Sequence, residues 1–227
     1  MSNPLYTEQL YPLQDKVLAQ INQLNVPFYL TGGTALSRHY LNHRYSDDLD
    51  LFVNSDPNFK SYVERIEAIL KSSGFSCYAL TRSDDFVRLE IRGNHDLSLK
   101  LDLVNDLVCH FGELEQSSLL GKVDNIFNIL SNKISALPRL EIKDFVDVAF
   151  ISMNYKYNWE QVLNDASEKD LWVNPIDVSR YFSTTDPKLF SLISWVEQPD
   201  YDHLLHVFHT ISSDILSGTS NTVCTKS

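Results

Sequence analysis

The stretch Leu30-Thr-Gly-Gly-Thr-Ala-Leu-Ser-Arg-His-Tyr-Leu-Asn-His-Arg-Tyr-Ser-Asp-Asp-Leu-Asp-Leu-Phe52 decides the fold. Phe28-Tyr29-Leu30 is a short apolar run ending in Gly32-Gly33, which predicts a buried strand entering a tight turn. Thr34 to Leu41 then reads as a short helix with Thr34 near its start. In Asp48 to Val53, Leu49, Leu51 and Val53 share one face of a strand, and Asp48 and Asp50 the other. Two carboxylates so placed repel unless something positive lies between them. A divalent cation removes that cost, and Mg²⁺ takes one or two carboxylates together with phosphate oxygens. Two glycines beside such a pair let the backbone approach a bulky anion, and the free N–H groups of the following helix start favour one.

Working outward, Leu10, Leu13, Val17, Ile21 and Leu24 recur at helical spacing, so residues 5–25 read as an amphipathic helix. A second helix after Pro57 carries Phe59, Val63, Ile66, Ile69 and Leu70, and a strand is expected over 76–81. Val87, Leu89 and Ile91 alternate with charged residues, Gly93-Asn94 supplies turn chemistry, and Leu97 to Leu103 alternate again, which predicts a hairpin. Asp102 lies on the polar face of its second strand. If that strand neighbours Asp48 and Asp50, three carboxylates converge, enough for two metal ions, with Asp102 also placed to accept a proton. Asp47 alternates away from the set.

After Gly121 strand alternation gives way to helical spacing near 123–137, 141–156, 159–168, 177–182, 188–197 and 201–217. We therefore expect an α/β domain over 1–118, a helical domain over 119–217 and a disordered tail over 218–227. His203, His206 and His209 stand three apart, which fits an exposed helix face rather than a zinc site, where two histidines are usually four apart. Arg44 is expected either to hold a carboxylate or phosphate or to pack the loop. Asp144 and Asp147 share a helix face. One of them is placed to orient Lys133 or Arg139, and Asp147 reads best as an acid favoured by a helix N-terminus.

The 227 residues carry a formal charge of −11. That excludes a surface that grips nucleic acid everywhere, while Arg82, Arg88, Arg92 and Lys100 are expected to form a local basic patch. Cys77, Cys109 and Cys224 form no C-x-x-C pair, so neither a disulfide framework nor a zinc site is expected. No apolar run is long enough to span a membrane and no signal peptide is visible, so a cytoplasmic location is expected.

The quoted stretch resembles the signature of the AbiEii/AbiGii toxin nucleotidyltransferases of the DNA polymerase β-like superfamily: Gly-Gly-Thr-Ala-Leu, then His-Arg-x-Ser-x-Asp-Leu-Asp-Phe. A later segment, Lys133 to Asp147, resembles a second family motif at Lys133, Arg139, Asp144 and Asp147. The resemblance covers residues 10–155. It implies an α+β polymerase β-like core, a mixed sheet flanked by helices, followed by a helical part. It also implies transfer of NMP from an NTP to an acceptor hydroxyl, with Mg²⁺ or Mn²⁺, RNA or a tRNA end as an acceptor, and an antitoxin partner. The residues it implies are Asp48, Asp50 and Asp102 as metal ligands, Lys133 as a further catalytic group, and Gly32, Gly33, Thr34, Arg44, Ser46 and Asp144 at the nucleotide. The alternative is a catalytically silent nucleotide-binding or interaction module with the same fold.

Overall fold

A computed structural model of the chain describes residues 3–93, 97–107 and 109–224. They group into two compact units. One comprises 1–39 and 45–125, the other 40–44 and 126–227.

The first unit opens with a wide helical turn, Leu5–Leu10, that runs into α1 (Tyr11–Ile21). Next come β1 (Tyr29–Thr31), α2 (Gly32–Ala35), which continues in wider turns through Leu36–Leu41, and β2 (Leu49–Asn54). Then follow α3 (Phe59–Ser72), β3 (Ser76–Arg82), β4 (Phe86–Arg92) and β5 (Ser98–Asp106). Two short strands close the unit, β6 (Glu115–Ser117) and β7 (Gly121–Val123). The strands form one mixed sheet in the order β3-β4-β5-β2-β1-β7-β6. β2 runs parallel to β5 and antiparallel to β1, whereas β1 and β7 are parallel.

The period-two pattern dictates which face is buried. Leu49, Leu51 and Val53 of β2, Val87, Leu89 and Ile91 of β4, and Leu99, Leu101 and Leu103 of β5 are all buried. So are Val63, Ile66 and Leu70 of α3 and Val17, Leu18 and Ile21 of α1, which supply the helical share of the core. Burying such side chains stabilises by roughly 1.5–3 kcal/mol each. The hairpin expected around Gly93 pairs as its alternation requires, from Phe86↔Val104 to Arg92↔Ser98. Asn94, expected in its turn, lies outside the described residues.

The sheet extends past residue 118, where the change of texture was expected. β7 hydrogen-bonds in parallel beside β1 at Leu30↔Val123, and the Asp124 N–H donates to the Leu30 carbonyl. Three-residue strands are too short to show a period, which is why the sequence hid them.

The second unit is helical: α4 (Ile126–Ser135), α5 (Ile142–Asn154), α6 (Trp159–Lys169), α7 (Pro175–Ser183) and α8 (Tyr201–Ser217). Phe145, Phe182, Phe190 and Phe208 meet edge to face at its centre. The helix expected over 188–197 is a shorter 3₁₀ helix, Pro187–Leu192. Beyond it Trp195 is extended, bridging Arg44 while its ring N–H donates to the Phe190 carbonyl. Residues 219–224, expected in a disordered tail, are tied down. Asn221 donates its amide to the carbonyls of Ser152 and Tyr155, and Thr222 bonds Asp214. Among the described residues no helix is long and apolar enough to cross a membrane.

Candidate active site

Strand pairing sets four residues of the first unit in one row across the sheet. Arg88 of β4 faces Asp102 of β5, Asp102 faces Asp50 of β2, and Asp50 faces Thr31 of β1. Neighbouring strands stand about 4.8 Å apart and paired residues point to the same face, so the Asp50 and Asp102 side chains rise side by side from the polar face. Asp102 is only 8% exposed. Asp48 stands just before β2 and half-buried.

Asp50 leans against the turn. A Cβ placed on Gly32 would come within 2.5 Å of Asp50 Oδ2, and Gly32 sits at φ +67°. Both facts require glycine here: the left-handed backbone disfavours any other residue, and the carboxylate takes the space. Gly33 is buried in the same turn.

Thr34 and Ser46, expected at the nucleotide, are instead built into the loop. Thr34 is fully buried; its hydroxyl donates to the Asp48 carbonyl and lies 2.9 Å from the Ser46 hydroxyl. The Ser46 N–H donates to the Tyr11 hydroxyl.

The carboxylates carry counter-charges. Arg88 donates from Nε to Asp102 Oδ1 at 2.8 Å and from Nη2 to Asp102 Oδ2 at 2.6 Å. Lys100 Nζ lies 3.1 Å from Asp48 Oδ2. The Asp102 hydrogen bond raises the pKa of Arg88 against partial desolvation, and the charges of Asp102, Asp48 and Asp50 all push the same way. Arg88 thus stands at the β4 end of the row and feels the charge of all three carboxylates. The expected basic patch does not form an open positive surface. Arg82 pairs with Glu67, Arg92 with Glu90, and the other two cations with the aspartates.

The donor set is all oxygen, which suits a hard divalent cation. Backbone register brings Asp50 and Asp102 together, and Arg88 marks where positive charge is needed. Among the described residues no three acidic, His or Cys side chains are gathered tightly enough to ligate an ion as they stand. The fit is therefore one of donor type and register, with Arg88 and Lys100 holding the charge balance.

The other expected site residues fall in the second unit, around a carboxylate that the sequence reading undervalued. Asp147, expected as a helix N-terminal acid, is fully buried. It receives Arg44 Nε and Nη2, each at 2.7 Å, His43 Nε2 at 2.9 Å and Lys133 Nζ at 2.8 Å. Lys133 Nζ also lies 2.7 Å from Asp144 Oδ1. Arg44 thus holds a carboxylate, one of the roles open to it, and Asp144 and Asp147 together orient Lys133, while Arg139 is exposed. Burial alone would raise the Asp147 pKa, but Arg44, Lys133 and His43 more than offset it and hold the carboxyl well below its usual range. Burial would likewise lower the Lys133 pKa, yet Asp147 and Asp144 raise it. Burial does win at His43, whose pKa is lowered despite Asp147.

One signal for the missed partners was present in the sequence. The pairing of Arg88 with Asp102 was not, because a turn at Gly93-Asn94 would set Arg88 opposite Leu99. Asp147 follows Asp144 by three and carries apolar neighbours, Val146 and Val148, both buried.

A family model described as the nucleotidyl transferase AbiEii toxin of type IV toxin–antitoxin systems matches residues 16–176. Among solved structures, JHP933 from Helicobacter pylori is similar at 21% identity and a TM-score of 0.61, over 92% of this chain and 93% of that one. The MenT4 nucleotidyltransferase toxin of Mycobacterium tuberculosis is similar at 16% identity and a TM-score of 0.62, over 90% and 83%. These two likenesses establish the shared fold. A comparison with curated proteins finds no match. With a family model spanning well over half its length, and the Gly-Gly turn, the aspartate row and the lysine cluster all inside that span, this chain belongs to the AbiEii family of nucleotidyltransferase toxins.

Proposed function

We propose that the chain transfers NMP from an NTP to an acceptor hydroxyl at the Asp50–Asp102 pair with Asp48 on the loop beside it, with Mg²⁺ or Mn²⁺ as cofactor. The observation that carries this reading is the in-register pairing of Asp50 with Asp102 beside Gly32, where a glycine is required because the Asp50 carboxylate occupies the space a side chain would take. Asp48 and Asp50 would hold the cation together with Asp102. When bound, such an ion neutralises the triphosphate and lowers the pKa of the attacking hydroxyl. Asp102 takes the proton from the acceptor hydroxyl, the new P–O bond forms at the α-phosphorus, and pyrophosphate departs. Binding of the triphosphate draws Lys100 and Arg88 off the carboxylates and toward its charge.

RNA is the acceptor class we favour, on the family's pattern. An RNA acceptor would be held through its phosphates, so its binding should weaken as salt is added, and binding that barely changes with salt would argue against RNA. As a member of a type IV toxin–antitoxin family, the chain is read as one whose activity an antitoxin opposes.

The test is transfer of label from α-labelled NTPs to candidate acceptors with Mg²⁺. Asp50→Asn and Asp102→Asn should each abolish label transfer while leaving the protein folded. Transfer that persists in either variant would remove this site from the mechanism.

A further inference from the structure

Asp48 reaches the row on the loop before β2, and the direction of its side chain depends on two peptide planes. The plane before its Cα carries the Asp47 carbonyl and the plane after it carries the Asp48 carbonyl. Both carbonyls are held by side chains from elsewhere in the first unit. Gln14 Nε2 donates to the Asp47 carbonyl at 3.0 Å and to the Ser46 carbonyl at 3.2 Å. The Thr34 hydroxyl donates to the Asp48 carbonyl.

Gln14 is fully buried on the core side of α1, beside Leu13, Val17 and Leu18. An amide at such a position costs free energy unless every donor and acceptor is satisfied. Here all are. Both amide hydrogens go to the loop, and Oε1 accepts from Arg38 Nη1 at 3.1 Å. Arg38 is itself fixed by Asp15 at 2.6 Å and lies over the Tyr11 ring, 4.5 Å from its centroid. The Tyr11 hydroxyl accepts the Ser46 N–H. A leucine would fill the same space without any polar cost, so burial alone gives no reason for glutamine. The loop carbonyls do.

We infer that Gln14 is a positioning residue for Asp48: it fixes the backbone from Ser46 to Asp48 so that this carboxylate points to the cation. Gln14 lies outside the residues matched by the family model, which begin at 16. The inference rests on the assignment of Asp48 made above, and the experiment separates the two. Mn²⁺ binding to the purified full chain is followed by electron paramagnetic resonance, alongside melting curves, for wild type, Gln14→Met, Gln14→Glu and Asp48→Asn. Met keeps the volume and loses the donors; Glu keeps the shape and presents only acceptors to the two carbonyls. Both Gln14 variants, measured well below their own melting temperatures, should bind Mn²⁺ about 10–100-fold more weakly, the usual cost of losing a group that orients a ligand. If both bind within about two-fold of wild type while Asp48→Asn loses the ion, the role of Gln14 is overturned and that of Asp48 stands. If Asp48→Asn itself binds as wild type does, the assignment of Asp48 falls and the inference with it.

Discussion

Arg88 lies directly across the β4–β5 pairing from Asp102 and grips it through Nε and Nη2 at 2.8 and 2.6 Å. The pair stands at one end of the row that holds Asp50, and Arg88 also feels the charges of Asp48 and Asp50. A cation supplied by the chain thus balances the acidic site.

Arg88→Gln should therefore make the protein more dependent on divalent cations. Arg88 is 38% exposed but the Asp102 side chain only 11%, so in metal-free buffer its loss leaves a largely buried carboxylate without its bidentate partner and should cost more than the about 0–1 kcal/mol of a surface pair. Added Mg²⁺ or Mn²⁺ should then raise the melting temperature more in the variant than in wild type. Equal shifts in both would show that Arg88 does not balance the aspartates.

Gly32→Ala should abolish or nearly abolish nucleotide transfer. The new Cβ would meet Asp50 Oδ2 at 2.5 Å and the residue would sit at φ +67°. The left-handed backbone costs about 1–2 kcal/mol, and the carboxylate must also move, which separates it from Asp102. Steady-state label transfer together with a melting curve checks this. A variant with wild-type turnover would mean that the position of Asp50 is immaterial.

Asp147→Asn should unfold the helical unit at markedly lower urea. The substitution leaves Lys133 with Asp144 and takes away the carboxylate charge that buried Arg44 grips. Removing one member of a buried ion pair costs about 3–5 kcal/mol. An unchanged urea midpoint would contradict the central position given to this carboxylate.

Acid should destabilise the protein in two steps with the same sign. His43 has a lowered pKa in the folded chain, chiefly because it is buried. The unfolded chain therefore binds more protons there, and stability is lost as pH falls below the ordinary histidine value of about 6.5. Asp147 has a pKa held well below normal, so its contribution disappears as pH falls below about 4. Urea midpoints across pH should decline first in the histidine range. His43→Gln should flatten that decline and leave the lower one in place.

The sequence by itself determined the elements whose local patterns are strong: the Gly-Gly turn, the Asp-x-Asp strand, the hairpin carrying Asp102 and the helical second half. Period two and glycine chemistry act between near neighbours, so these follow from reading along the chain. It also determined the family, through the spacing of residues 30–52. What the tertiary structure alone decided is which charges meet. That Arg88 and Lys100 balance the aspartates, that Arg44 reaches Asp147 across more than a hundred residues, and that Gln14 grips the Asp48 loop depends on strand order and helix packing. Those are set by the burial of the whole apolar face, a sum over distant residues that no local pattern records.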